Sequence, residues 1–116
     1  MQIPKINLTG DDVKRMRALL KIYSVVQFNE DITERESEVL SEYIIYGITP
    51  QAEQVITLNY GISSNNIKQI NSRLQKKGLL VSRPYRQGKD LHKELELVRE
   101  MYKTKNDNFL LIQLWT

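Results

Sequence analysis

No cysteine occurs anywhere in the 116 residues, which rules out disulfides, thiolate-ligated zinc fingers and cysteine nucleophiles, and fits a reducing compartment. Histidine occurs once, so any imidazole-based metal site or Ser-His-Asp arrangement has only His92 to draw on. A single histidine beside a basic loop reads as a surface residue or a neighbour of phosphate. With only five glycines, the chain has no glycine-rich loop of the Walker or dinucleotide type. No run approaches the roughly 18 to 20 apolar residues of a membrane span. The opening MQIPKINLTGDD lacks the basic-then-apolar order of a signal peptide. Internal repeats and low-complexity runs are also missing. The expectation is a soluble, cytoplasmic, single-domain protein that is not an enzyme and needs no cofactor or metal.

What is present is charge, and it is unevenly placed. The net charge is +3 and the isoelectric point about 9.2, a weak pointer to a polyanionic partner. From Ser63 to Lys93 there are eight cations against one anion, Asp90, whereas from Glu30 to Ile62 seven acids face one cation, Arg35. Such segregation would concentrate positive potential where a phosphate backbone binds and releases counterions. The plainer reading is a basic helix that is simply solvated. The acids Glu34, Glu36, Glu38 and Glu42 read as a solvated face, since no companion ligand supports a cation site.

Helical spacing dominates the pattern. A first helix is predicted from Gly10 or Asp11 to about Phe28, with Val13, Met16, Leu20 and Tyr23 on one stripe. Thr33 followed by Glu36 forms a capping box, and the helix it starts would bury Val39, Leu40, Tyr43 and Ile44 and stop at Gly47. Thr49 caps a further helix with Pro50 in its first turn and Ala52, Val55 and Ile56 facing inward. Tyr43, Tyr46 and Tyr60 sit among aliphatics and read as core rather than as a base-stacking platform.

The stretch from Gly61 to Val81, GISSNNIKQINSRLQKKGLLV, is the most informative. Ile67, Ile70 and Leu74 fall on one side of a helix over 64–77, leaving Asn65, Gln69, Ser72 and Lys76 opposite. Ser63 or Ser64 can cap its start and Gly78 its end. Amides, a hydroxyl and the flanking cations Lys68 and Arg73 suit base edges and phosphates in the major groove. Leu79 to Arg83 reads as a short strand, and Pro84 to Lys89 as a basic loop. Asp90 to Lys103 reads as a helix, with a strand that pairs with Leu79 to Arg83 as a simple wing hairpin, on the alternation across Leu95 and Leu97, as the alternative. FLLIQLWT reads as a terminal strand that pairs with Leu79 to Arg83 or serves as a subunit interface, with Trp115 as its anchor.

Gly61 to Ser63 together with SRLQKKGLLV, Ser72 to Val81, resemble the winged helix-turn-helix family of DNA-binding domains. The string ITERESEVL, Ile32 to Leu40, is also similar to the opening of LuxR-type and sigma factor region 4 domains. A wing in place of a fourth helix separates this chain from the LuxR pattern. The resemblance implies a mainly α fold with a small β wing: a helical extension at 1–29, helix-turn-helix and wing at 30–89, and a C-terminal helix and strand at 90–116. By position, Ser63, Ser64, Asn65, Lys68, Gln69, Ser72 and Arg73 match the recognition helix, while Arg83, Arg86 and Lys89 match the wing. Lys76 joins Arg73 and the wing cations on phosphate. The implied function is a small sequence-specific transcriptional regulator of double-stranded DNA, dimeric through residues 90–116. The alternative is a winged-helix adaptor in a polymerase, replication or packaging assembly that docks a basic partner on the acidic helix 33–46. The Ile-, Asn- and Lys-rich composition would suit a phage or mobile element.

Overall fold

The structure, a computed structural model, describes residues 12–85 and 87–103. Within them the order is α1 (Asp12–Phe28), α2 (Glu34–Tyr46), α3 (Pro50–Tyr60), α4 (Ser64–Lys76), β1 (Leu80–Ser82), β2 (Lys89–Leu91) and α5 (Lys93–Lys103). The architecture is mainly helical with one small antiparallel hairpin. None of the described helices is long and apolar enough to cross a membrane.

The fold is built around α2. Its capping box is complete: the Thr33 N–H donates to Glu36 Oε1 at 2.7 Å and the Glu36 N–H to Thr33 Oγ1 at 3.1 Å. From there α2 runs between α1, α3, α4 and α5, and every residue from Glu36 to Ile44 is buried. Val39, Leu40, Tyr43 and Ile44 form the centre of a core that also takes Leu20 and Tyr23 from α1, Ile56 from α3, Leu74 from α4 and Leu95 from α5. Gly47 closes the helix at φ 75° and ψ 179°, a conformation open almost only to glycine. A Cβ there would also lie 3.3 Å from the Arg99 guanidinium of α5. The N-terminal helix α1 ends differently, with Asn29 at φ 54° donating its N–H to the Val25 carbonyl at 3.1 Å, an αL closure, and the Glu30 N–H reaching back to the Ser24 carbonyl at 3.2 Å.

Three expectations change. The acids of α2 are not a solvated face: Glu36 is 0% exposed, Glu42 2% and Glu38 8%. Where α2 is enclosed its carboxylates find partners inside the fold, Glu36 Oε1 in Lys77, Glu42 in the Tyr60 hydroxyl and Glu38 in Arg35, while Glu36 Oε2 has no hydrogen bond among the described residues. Glu34, at the rim, pairs with Lys21 and Arg17 of α1. Second, the strand at Leu80–Ser82 pairs with Lys89–Leu91, in the register Leu80↔Leu91, Val81↔Asp90 and Ser82↔Lys89. This second strand spans the end of the predicted loop and the start of the predicted C-terminal helix, and pairs as the alternative of a wing hairpin requires, at Lys89–Leu91 instead of around Leu95. Helix and hairpin thus both exist, and the C-terminal helix starts at Lys93 instead of Asp90. The strand predicted from FLLIQLWT, Trp115 included, lies outside the described residues. Third, His92 is half-buried and takes part in the packing. Its Nδ1 accepts the Glu94 N–H at 3.1 Å at the start of α5, and its ring packs edge-on against Phe28 with centroids 5.0 Å apart.

Candidate nucleic-acid interface

The helix α4 is amphipathic in a way that leaves one face unused by the fold. Ile67, Ile70 and Leu74 are buried at 3%, 3% and 0% exposure. Tyr43 OH, deep in α2, donates to Asn71 Oδ1 at 2.8 Å, and burial pushes that hydroxyl up to about 12. A neutral tyrosine is therefore a fixed hydrogen-bond donor that locks the rotation of α4 about its axis. The start of the helix is set by Ser63, whose hydroxyl accepts the Asn66 N–H at 3.3 Å. Gly61, at φ 67°, supplies the left-handed turn that brings α3 into α4.

Opposite the buried stripe, Asn65, Lys68, Gln69, Ser72 and Lys76 are exposed, and none has a side-chain hydrogen-bond or ion-pair partner among the described residues. These five are the part of the expected site that remains available to a ligand. The other expected residues are committed in part to the fold. Ser63 caps the helix, and Ser64 Oγ donates to Glu53 Oε1 of α3 at 2.7 Å. Arg73 Nε lies 3.4 Å from Glu36 Oε2, although the side chain stays half-exposed. Arg83 Nε binds Asp90 Oδ1 across the hairpin at 3.0 Å. Lys89 is half-buried in β2, and Arg86 lies outside the described residues.

Charge does not separate in space as it does along the chain. Glu36, from the acidic segment, is held by Lys77 Nζ at 2.6 Å and faced by Arg73, both from the basic one. Burial raises the Glu36 carboxyl, but the Lys77 hydrogen bond, the Thr33 N–H and the Lys77 charge outweigh it, so the group stays ionised below its usual range. Lys77 Nζ also donates to the Asp31 carbonyl at 2.7 Å. The ion pair thereby pins the end of α4 to the start of α2. At Glu42 the balance is reversed: burial raises its carboxyl, and the Tyr60 hydroxyl and Arg17 only partly offset that.

Beside α4 stands the β1–β2 hairpin, joined to it by Gln75 Nε2 donating to Ser82 Oγ at 2.7 Å. Tyr85 at its tip is almost fully exposed. The sequence reading missed Arg35, the one cation of the acidic stretch. The structure brings it to the opposite flank of α4, where its Nη1 donates to the Tyr60 carbonyl at 3.0 Å and approaches Glu38 Oε2 at 3.5 Å. Only the turn of α2 against the α3–α4 corner reveals this, so nothing in the local sequence signals it. Compared with protein-family models, curated proteins and solved structures, the chain gives no match.

Proposed function

We propose that this protein binds duplex DNA as a winged helix-turn-helix domain and acts as a small sequence-specific transcriptional regulator. In this reading α3 and α4 are the helix-turn-helix pair, α4 enters the major groove, and the β1–β2 hairpin is the wing. The observation that carries it is the face of Asn65, Lys68, Gln69, Ser72 and Lys76: five polar or cationic side chains, exposed, unpartnered and presented on a helix whose opposite face is locked into the core. Amide side chains match adenine edges, lysine matches guanine and phosphate, and a serine hydroxyl serves either. The hairpin places Arg83 and Lys89 beside the helix, where phosphates flanking the groove would lie.

Binding of the purified protein to random duplex DNA over a salt titration, followed by selection of bound sequences, tests this directly. A steep fall of affinity with salt plus an enriched motif, palindromic if the protein binds as a two-fold dimer, is the expected result. A steep fall with no motif would leave an architectural or packaging role.

A second reading, an adaptor within a nucleoprotein assembly, draws on a different surface. Ile22, Val25 and Val26 of α1 are 53%, 47% and 56% exposed and share one face, an apolar stripe the described residues leave uncovered. Of the carboxylates of α2, Glu36, Glu38 and Glu42 are interior, which leaves Glu34 to meet a basic partner.

A further inference from the structure

We infer that the groove between the first turn of α2 and α4 seats a phosphodiester of the bound duplex, with Arg35 as its principal ligand. This inference rests on the DNA-binding reading above and adds a contact on the side of α4 away from the hairpin.

The groove encloses about 180 Å³, and its polar lining is Arg35, Asn66, Gln69 and Arg73. Two guanidiniums face it and no carboxylate lines it. Both arginines keep capacity for a ligand. Arg35 is anchored through Nη1 alone, which leaves Nε and Nη2 without a protein partner. Arg73 approaches Glu36 at 3.4 Å without a hydrogen bond, and about half of its side chain is exposed. A guanidinium oriented by a backbone carbonyl but with one edge free is preorganised for the two non-bridging oxygens of a phosphodiester.

Helical geometry says why a phosphate would come here. At 100° per residue, Asn66 and Arg73 lie roughly a quarter turn to one side of the Asn65–Lys76 face, and Gln75 roughly a quarter turn to the other. Gln75 leads to Ser82 and the hairpin. A helix of about 10–12 Å diameter fills a major groove about 12 Å wide, so both of its flanks meet sugar-phosphate walls. The hairpin serves one wall. On the other, Arg35 is the cation that the fold supplies from outside α4. Gln69 lines the groove and also belongs to the free face, so the phosphate seat is continuous with the base-reading surface.

The test compares wild type with Arg35→Ala and Arg35→Lys on a panel of unrelated duplexes, each over a salt series, with thermal melts to check that the variants fold. Loss of one phosphate contact lowers the slope of log affinity against log salt by about 0.9. The advantage of wild type over Arg35→Ala should therefore shrink about 3.5-fold as salt rises from about 50 to about 200 mM, equally on every duplex. Arg35→Lys, which keeps the charge but not the fork, should retain the slope and bind more weakly than wild type. An Arg35→Ala protein with the wild-type slope and affinity would overturn the phosphate seat and leave the DNA reading standing. Loss confined to one selected sequence would make Arg35 a base reader and equally overturn it. Absence of duplex binding by wild type itself would remove both.

Discussion

Replacing Glu36 with glutamine exchanges one oxygen for an amide nitrogen in a side chain that is 0% exposed, and isolates the charge that joins α2 to α4. The glutamine oxygen can still accept the Thr33 N–H, so the capping box is kept. What disappears is the charge: the hydrogen bond from Lys77 Nζ at 2.6 Å, which meets the same Oε1, falls on a neutral oxygen, and the attraction of Oε2 to Arg73 Nε at 3.4 Å gives way to an amide N–H facing a second donor. A hydrogen bond to a charged group contributes about 1.5–3 kcal/mol. The roughly 3–5 kcal/mol cost of orphaning a buried charge does not apply in full, because the Lys77 side chain is 24% exposed and that of Arg73 51%, so both cations regain water. The expected destabilisation is about 2 kcal/mol, or a fall in Tm of roughly 10 °C for a domain of this size. The pH dependence provides an independent check. A carboxyl held below its usual value contributes stability that is present above the unfolded value of about 4.3 and is lost as pH falls through the folded one. The gap between wild type and Glu36→Gln should thus be full at pH 7 and close on acidification below about pH 4.3. Glu42 works in the opposite direction but is common to both proteins and cancels in the difference. Urea melts from pH 7 to pH 3 measure the gap. A difference under about 0.5 kcal/mol at pH 7, or one that does not change with pH, would refute the claim that this ion pair fastens α4.

Other outcomes follow from the same geometry. Glu42→Gln should stabilise the protein at pH 7, since burial raises that carboxyl and the Tyr60 hydroxyl can donate to the amide oxygen instead. Wild type recovers stability as pH falls through the raised value, so in parallel melts the advantage of the variant should vanish in acid; a variant less stable than wild type at pH 7 would contradict this. Gly47→Ala forces a side chain into φ 75° against the Arg99 guanidinium and should cost about 1–3 kcal/mol, read as a lower Tm. Gln69→Ala should weaken binding to a selected site by about 1–3 kcal/mol with little change on other duplexes, whereas Lys76→Ala should weaken all duplexes and lower the salt slope by about 0.9, both followed by fluorescence anisotropy. If the dimer expected through residues 90–116 forms, a charge introduced at the half-exposed Leu97 of α5, as in Leu97→Glu, should shift the molar mass by light scattering towards the monomer.

Much of the helical framework was legible because its signals are local. The capping box at Thr33 and Glu36, Thr49 before Pro50, and the closing glycine Gly47 act within one turn of chain, and all appear where spacing puts them. The α4 stripe of Ile67, Ile70 and Leu74 was equally readable, since burial follows the 3.6-residue period. Of the hairpin, the first strand was readable and the second was not. Lys89–Leu91 is a three-residue strand with no alternation of its own, and it exists because Leu80 and Leu91 meet over the core.

By itself, then, the sequence determined where α2 and α4 start and stop, where α3 starts, and which face of α4 is apolar, because capping and periodicity act over neighbouring residues. Only the tertiary structure decided which charges are free. Lys77 and Lys76 are adjacent in the chain and identical in type, yet one is bound to the buried Glu36 and the other faces solvent. Arg35, surrounded by acids in sequence, stands beside α4 in space. The reason is physical: a Coulomb partner is chosen by distance and dielectric after folding, and neither quantity is written in the order of residues.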